Sequence, residues 1–426
     1  MASLSDRLKS LGVKIGAQDL PAPQPRRASP HMHVLEQVLS GHALETHQGE
    51  TFVVEERFAA DYQMGSSGIQ ITAPLHIIAE WAGEQRIRDL PPQSFAFLDT
   101  ETTGLSGGTG TYAFLIGVGR FEGDEFHLAQ FFMRDPAEEP AQLAALEEFV
   151  APCEALVTFN GKAFDIPLLN TRYITQGWKS PFSATAHVDL LHLARRLWRD
   201  RLPSRTLGNL EVQILGATRT EEDVPGWMIP SLYFEFLRNG EPQPLKSIFY
   251  HNAVDVVSMA ALFNHMAGLL ADPFNGLIEH GVDLIALAKL FESMGDFDTA
   301  TRLYIHGLDH DLPKETLLDA IQRLALIHKR QDNFPAAVSL WEQAAQHQHL
   351  HAHIELAKYY EHRLRDYIEA LHWTRTALDL VNAPQFPDYE RMQWRSELEH
   401  RLERLERKLT STSGNSDDII IPKSED

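Results

Sequence analysis

The sequence predicts an α/β domain, a mixed sheet flanked by helices, followed by an all-α helical repeat domain. Three observations carry that expectation. Apolar runs at 94–98, 111–120 and 125–134 read as three successive strands. Helical stretches at 140–150 and 165–176 then alternate with a fourth strand at 155–159. From about 277 onward the apolar spacing is helical throughout, with small residues recurring at a period near 34.

Taken in order, residues 1–15 read as a short helix capped by Ser3 or Ser5, and the proline-rich stretch 17–31 as a linker, so 1–49 forms an N-terminal helix and linker segment. Pieces at 51–55 and 68–72 read as strands of a lead-in to the main domain, 50–272. The Gly123-Asp124 pair marks a hairpin between the second and third main strands. The helix at 140–150 places Leu143, Leu146 and Phe149 on one face, and the helix at 165–176 stops at Gly177. Further helices are expected near 188–199, 206–214, 230–238 and 245–270. Three antiparallel strands followed by helix, strand and helix is the order of the RNase H-like fold.

The region 277–409 repeats internally. Ala288 and 297–300 (FDTA) match Ala325 and 334–337 (FPAA) at a spacing of 37, and 367–370 (YIEA) follows 33 residues later. Small residues at helix crossings with this period make a tetratricopeptide-like pattern, in which one copy cannot bury its apolar face alone and several must stack. Residues 388–409 read as a charged closing helix, and 410–426 as a disordered tail. His347, His349, His351 and His353 fall in what reads as a polar turn between helices.

Composition narrows the class. A chain of 426 residues suggests two or three domains, and an apolar fraction of 43% supports a sizeable core. One cysteine, Cys153, excludes an internal disulfide and zinc-finger spacing, which fits a reducing cytoplasm. No run of about 18 apolar residues is evident, and the first residues lack the apolar core of a signal peptide, so no membrane partner is expected. A formal net charge of −21 argues against tight non-specific duplex binding.

Chemistry concentrates in three motifs. In 95–105 (FAFLDTETTGL) Asp99 and Glu101 lie two apart on a strand, hence on one face, where two acids repel unless a cation sits between them. Oxygen ligands of this kind suit magnesium or manganese. The second motif, 159–165 (FNGKAFD), follows a strand and opens a helix, so Asp165 can reach the sheet's end. In the third, His251 and Asp255 are four apart and share a helical face, where an acid can bind metal and an imidazole can take a proton from water. Thr102, Asn160, Lys162 and Asn252 are candidate substrate contacts, and Asp189 is a further acid or a helix cap. The 104–110 stretch (GLSGGTG) lacks a phosphate loop's Lys-Ser/Thr ending and reads instead as a sharp turn beside the site. Arg195, Arg196, Arg199, Arg201 and Arg205 form a basic cluster suited either to a nucleic-acid backbone or to a solvated helix face.

Asp-x-Glu on a strand, then Asn-x-x-x-Phe-Asp, then a helical His or Tyr with an Asp resembles the DEDD superfamily of 3′–5′ exonucleases. The order DTETTGL, FNGKAFDIPLL, SRTLGNLE, EEDVPG and HNAVDVVSM is similar, more narrowly, to the bacterial RNase H-like family typified by YprB, over roughly 50–270. The resemblance implies Asp99, Glu101, Asp165 and Asp255 as metal-binding acids, two Mg2+ or Mn2+ ions, and His251 beside the attacking water. In that superfamily the last motif has Tyr four residues before Asp or His five before it. Here His251 is four before Asp255 and Tyr250 five before, and a one-residue shift turns a helical side chain by ~100°. His251 is therefore the first choice and Tyr250 the second. The expected function is metal-dependent hydrolysis of nucleic-acid phosphodiester bonds, 3′–5′ on single-stranded DNA or RNA ends, with the repeats available to a protein partner. The alternatives are a non-catalytic scaffold and a structure-selective endonuclease.

Overall fold

The computed structural model describes residues 32–104 and 110–414. The expected N-terminal helix and linker at 1–31, residues 105–109 of the expected sharp turn and residues 415–426 of the expected tail lie outside the described residues. In chain order, α1 (Met32–Leu39) precedes β1 (His42–Thr46) and β2 (Gly49–Ala59). A small pair, β3 (Gln63–Met64) with β4 (Ser67–Gly68), and α2 (His76–Ala82) lead to β5 (Phe95–Thr102), β6 (Ala113–Glu122) and β7 (Glu125–Phe132). Then come α3 (Glu139–Val150), β8 (Ala155–Thr158), α4 (Asp165–Thr175), β9 (Ala186–Asp189) and α5 (Leu190–Trp198). The domain closes with α6 (Leu207–Leu210), α7 (Ile229–Asn239) and the long α8 (Leu245–Ala271).

These strands make a seven-stranded mixed sheet ordered β1-β2-β7-β6-β5-β8-β9. The pairs from β1 to β5 are antiparallel, and β5-β8-β9 are parallel. One face is covered by α8. This helix is apolar on nearly every side because it is buried: Val256, Met259, Leu262, Phe263 and Met266 are all fully enclosed. Enclosing each such side chain is worth about 1.5–3 kcal/mol. By length and composition α8 could cross a membrane, but its apolar stretches are interrupted by Asp255, Ser258, Asn264 and His265, and 67% of its most apolar window is buried inside the protein. The other face is covered by α3 and α4, through Leu143, Leu146, Leu168 and Leu169.

Beyond residue 277 the elements among the described residues are all helices: α9 (Gly281–Met294), α10 (Phe297–Leu308), α11 (Lys314–Arg330), α12 (Phe334–Gln346), α13 (Leu350–Tyr359), α14 (Tyr367–Asn382) and α15 (Asp388–Gly414). The repeated alanines Ala288, Ala300, Ala325, Ala337 and Ala370 are fully buried, which is what close helix crossing requires. His351 and His353 lie within α13, not in a turn. The first helices of this region share a core with the sheet domain, because Leu193, Leu197 and Trp198 of α5 join Leu284, Phe291 and Leu324 in one apolar cluster.

Three boundaries differ from expectation. The sheet begins before residue 50: α1 and β1 occupy part of the expected linker segment, and β1 is a thinly covered edge strand without a clear apolar alternation. β9 stands where a helix was expected to start, since the four residues Ala-His-Val-Asp are too few to display a period. Helix α15 extends to Gly414, past the expected start of the tail at 410, with no proline or earlier glycine to stop it.

Candidate active site

Strand β5 carries Asp99 and Glu101 at its C-terminal end, beside a register shift between Glu101 and Thr102. Asp165 is the first residue of α4 and accepts a hydrogen bond from Thr100 Oγ1. Asp255 and His251 lie on α8, with His251 Nε2 3.6 Å from Asp255 Oδ2. The structure brings these groups together. Burial first, then the nearby Asp255 and Asp165 charges, push Asp99 well above the ordinary carboxylate range. Burial followed by Asp99, Asp255 and Asp165 does the same to Glu101. Asp165 rises to about 6, chiefly through burial. Asp255 is also raised by burial, although Arg219 opposes the shift.

Asn252 positions Asp99. Its Nδ2 donates to Asp99 Oδ2 at 2.9 Å, and its Oδ1 accepts from Gln130 Nε2 at 2.9 Å. Asn252 is fully buried, so it is tied into the core and is not a surface contact for substrate, which corrects the expectation from sequence. Gly117 pairs with Asp99 across the sheet, and a Cβ there would fall 2.1 Å from Asn252 Oδ1. A glycine at this position is what lets α8 approach closely enough for the Asn252 bond to form.

Arg219, Glu211 and Asp223 form a network that the sequence reading left without a role. Arg219 Nε donates to Glu211 Oε2 at 2.7 Å and Nη2 to Glu211 Oε1 at 2.6 Å, while Nη2 also donates to Asp255 Oδ1. Burial works against its charge, but Glu211 and Asp255 outweigh that effect and hold the guanidinium charged. His251 Nδ1 lies 2.7 Å from Asp223 Oδ1 and 3.2 Å from Arg219 Nη1. Asp223 can only accept and Arg219 only donate, so these two bonds to Nδ1 belong to opposite tautomers; the one with the proton on Nδ1, given to Asp223, leaves Nε2 as a proton acceptor. Tyr250 turns elsewhere: its Oη accepts from Thr220 N at 2.9 Å. Glu211 and Asp223 sit in the SRTLGNLE and EEDVPG stretches, so the signal was present but had no partner in sequence.

The other candidates have structural duties. Thr102 is buried and its Oγ1 donates to Gly104 O at 3.0 Å. Asp189 caps α5 through Leu191 N at 3.1 Å and clamps the loop before Asp165 by accepting from Asn160 N at 2.8 Å and Lys162 N at 3.1 Å. Asn160 adopts a left-handed φ of 67°, a conformation asparagine tolerates, and the Lys162 side chain is exposed.

The half-buried Asp99, Glu101 and Asp255 and the buried Asp165 present only oxygen ligands, a donor set whose chemistry fits a hard divalent cation. Among the described residues, no three His, Cys, Asp or Glu side chains stand ready as a metal cage. Asp99, Asp165 and Asp255 are each engaged by Asn252, Thr100 and Arg219 instead.

A mixed sheet with acids gathered at the end of an inner strand defines an RNase H-like protein. The RNase H superfamily model matches residues 96–267, so this part of the chain is an RNase H superfamily domain. Over 322 residues, 74% of this chain and 75% of the relative, it is 34% identical to the uncharacterized protein YprB of Bacillus subtilis (strain 168).

Proposed function

We propose that this chain is a cytoplasmic, metal-dependent nuclease that hydrolyses phosphodiester bonds, acting 3′–5′ on single-stranded DNA or RNA ends by a two-metal mechanism. The observation that carries this reading is the gathering of Asp99, Glu101, Asp165 and Asp255 at one end of the sheet, where burial raises the proton affinity of all four and the neighbouring acid charges raise Asp99 and Glu101 further. Such crowding destabilises a fold and is expected where a function needs it. These four acids would hold two Mg2+ or Mn2+ ions, which when bound neutralise phosphate charge and acidify water.

The remaining work falls to the chain itself. His251, oriented through Nδ1 by Asp223, presents Nε2 on the side of Asp255 and can accept the proton of the attacking water. Asn252 fixes the rotamer of Asp99, and Arg219 balances part of the negative charge beside Asp255. The helical region, read as tetratricopeptide-like repeats, is available to recruit a protein partner. The experiment is incubation of DNA and RNA oligonucleotides, labelled at either end, with Mn2+ and wild type or Asp99→Ala. A ladder receding from the 3′ end, absent with Asp99→Ala, is expected. Cleavage by Asp99→Ala at the wild-type rate overturns the assignment.

A further inference from the structure

A groove of about 530 Å3 runs between α5 and the first helices of the repeat region. Arg195, Arg196, Arg199, Lys289, Arg323 and Arg330 line it against only two acids, Asp200 and Glu292, on a chain of net charge −21. Lys289 and Arg323 are neutralised by Asp319, at 2.8 and 3.0 Å. Arg195, Arg196, Arg199 and Arg330 are exposed, and among the described residues none of the four pairs with a carboxylate. Uncompensated guanidinium groups held side by side repel one another and attract an anionic chain. Phe297, 36% exposed, adds an aromatic face to the same groove. Basic side chains beside an aromatic ring suit a single strand, whose phosphates pair with arginine and whose bases stack.

The groove is a fixed feature, because the apolar core is continuous beneath it and Arg201 Nε binds Asp283 Oδ2 at 2.8 Å across the junction. It also leads somewhere. Arg195 lines a second groove of about 470 Å3 that includes Arg205, Phe159 and Asn160. Asn160 opens the loop that delivers Asp165 to the carboxylate cluster.

We propose that this path binds the sugar-phosphate backbone of a single-stranded nucleic acid, gripping it between α5 and the helical repeats on its way to the carboxylates. The destination of the strand rests on the nuclease reading; the grip does not. The test is fluorescence anisotropy of single-stranded DNA and RNA on the full chain with EDTA present, comparing wild type with the double variant Arg196→Glu/Arg330→Glu. Both positions are exposed, and an unchanged thermal midpoint verifies the fold. The variant should bind at least tenfold more weakly, and its logarithmic salt slope should be shallower by about 1.4, from 0.7 per lost phosphate contact. Equal affinity and slope in the two proteins overturn the proposal. So does displacement of the strand by polyglutamate at equal charge, which assigns the groove to an acidic protein segment. A strand held through the groove but left uncut with Mn2+ upholds the proposal and counts against hydrolysis alone.

Discussion

Gly117→Ala should disable Asp99 without touching it. The new Cβ would lie 2.1 Å from Asn252 Oδ1, 2.7 Å from Cγ and 2.9 Å from Nδ2. Asn252 is fully buried, so its side chain or α8 must move. Either movement breaks the 2.9 Å bonds to Asp99 and Gln130. A hydrogen bond to a charged group contributes about 1.5–3 kcal/mol and a neutral one about 1. Overpacking adds about 1–3 kcal/mol if the bonds are kept instead. A loss of about 3–4 kcal/mol is therefore expected. Asn252→Ala should show a similar loss, but in that background the methyl group added at position 117 meets vacated space. The double variant should match Asn252→Ala alone, giving a coupling energy as large as the Gly117→Ala loss itself, about 3–4 kcal/mol, well beyond the ~0.5 kcal/mol scatter of independent sites. Urea unfolding of the four proteins in EDTA, followed by tryptophan fluorescence, measures the cycle. Additive losses, or a Gly117→Ala protein as stable as wild type, would refute the positioning role of Asn252.

Two further outcomes follow from buried charges. Arg219→Gln strands Glu211, whose side chain is 1% exposed, and should lower stability by about 3–5 kcal/mol in EDTA. The same variant should bind Mn2+ more tightly, because guanidinium and cation compete for Asp255; unchanged or weaker binding by calorimetry would contradict that competition. Burial lowers His265 to about 4, below its unfolded value near 6.5. Between those values the unfolded chain binds more protons, so stability should fall as pH drops from about 6.5 to about 4, by at most about 1.4 kcal/mol per pH unit. His265→Gln should flatten that part of the profile, and an identical profile would exclude His265 as a source.

Asp99, Glu101 and Asp255 were legible because each sits where a period exposes it. Asp99 and Glu101 alternate on a strand, and His251 and Asp255 are one helical turn apart. Chain order supplied Asp165. Arg219 was not legible, since it stands between elements where no periodicity marks a partner, and its bonds to Glu211 and Asp255 span 8 and 36 residues. Asn252 was misread as a substrate contact. An amide inside an apolar helix must be satisfied within the core, and that was the available sign. The sheet was legible in its long inner strands and not in β1 or β9, where four or five residues carry too little pattern.

Mn2+ binding tests the metal-site assignment most directly. Titration calorimetry of the wild-type chain should register Mn2+ binding that disappears in Asp99→Asn, a variant that keeps the volume and removes the charge. Binding of equal affinity and stoichiometry in the two proteins would contradict a metal site built on Asp99, and with it the hydrolytic role of all four acids.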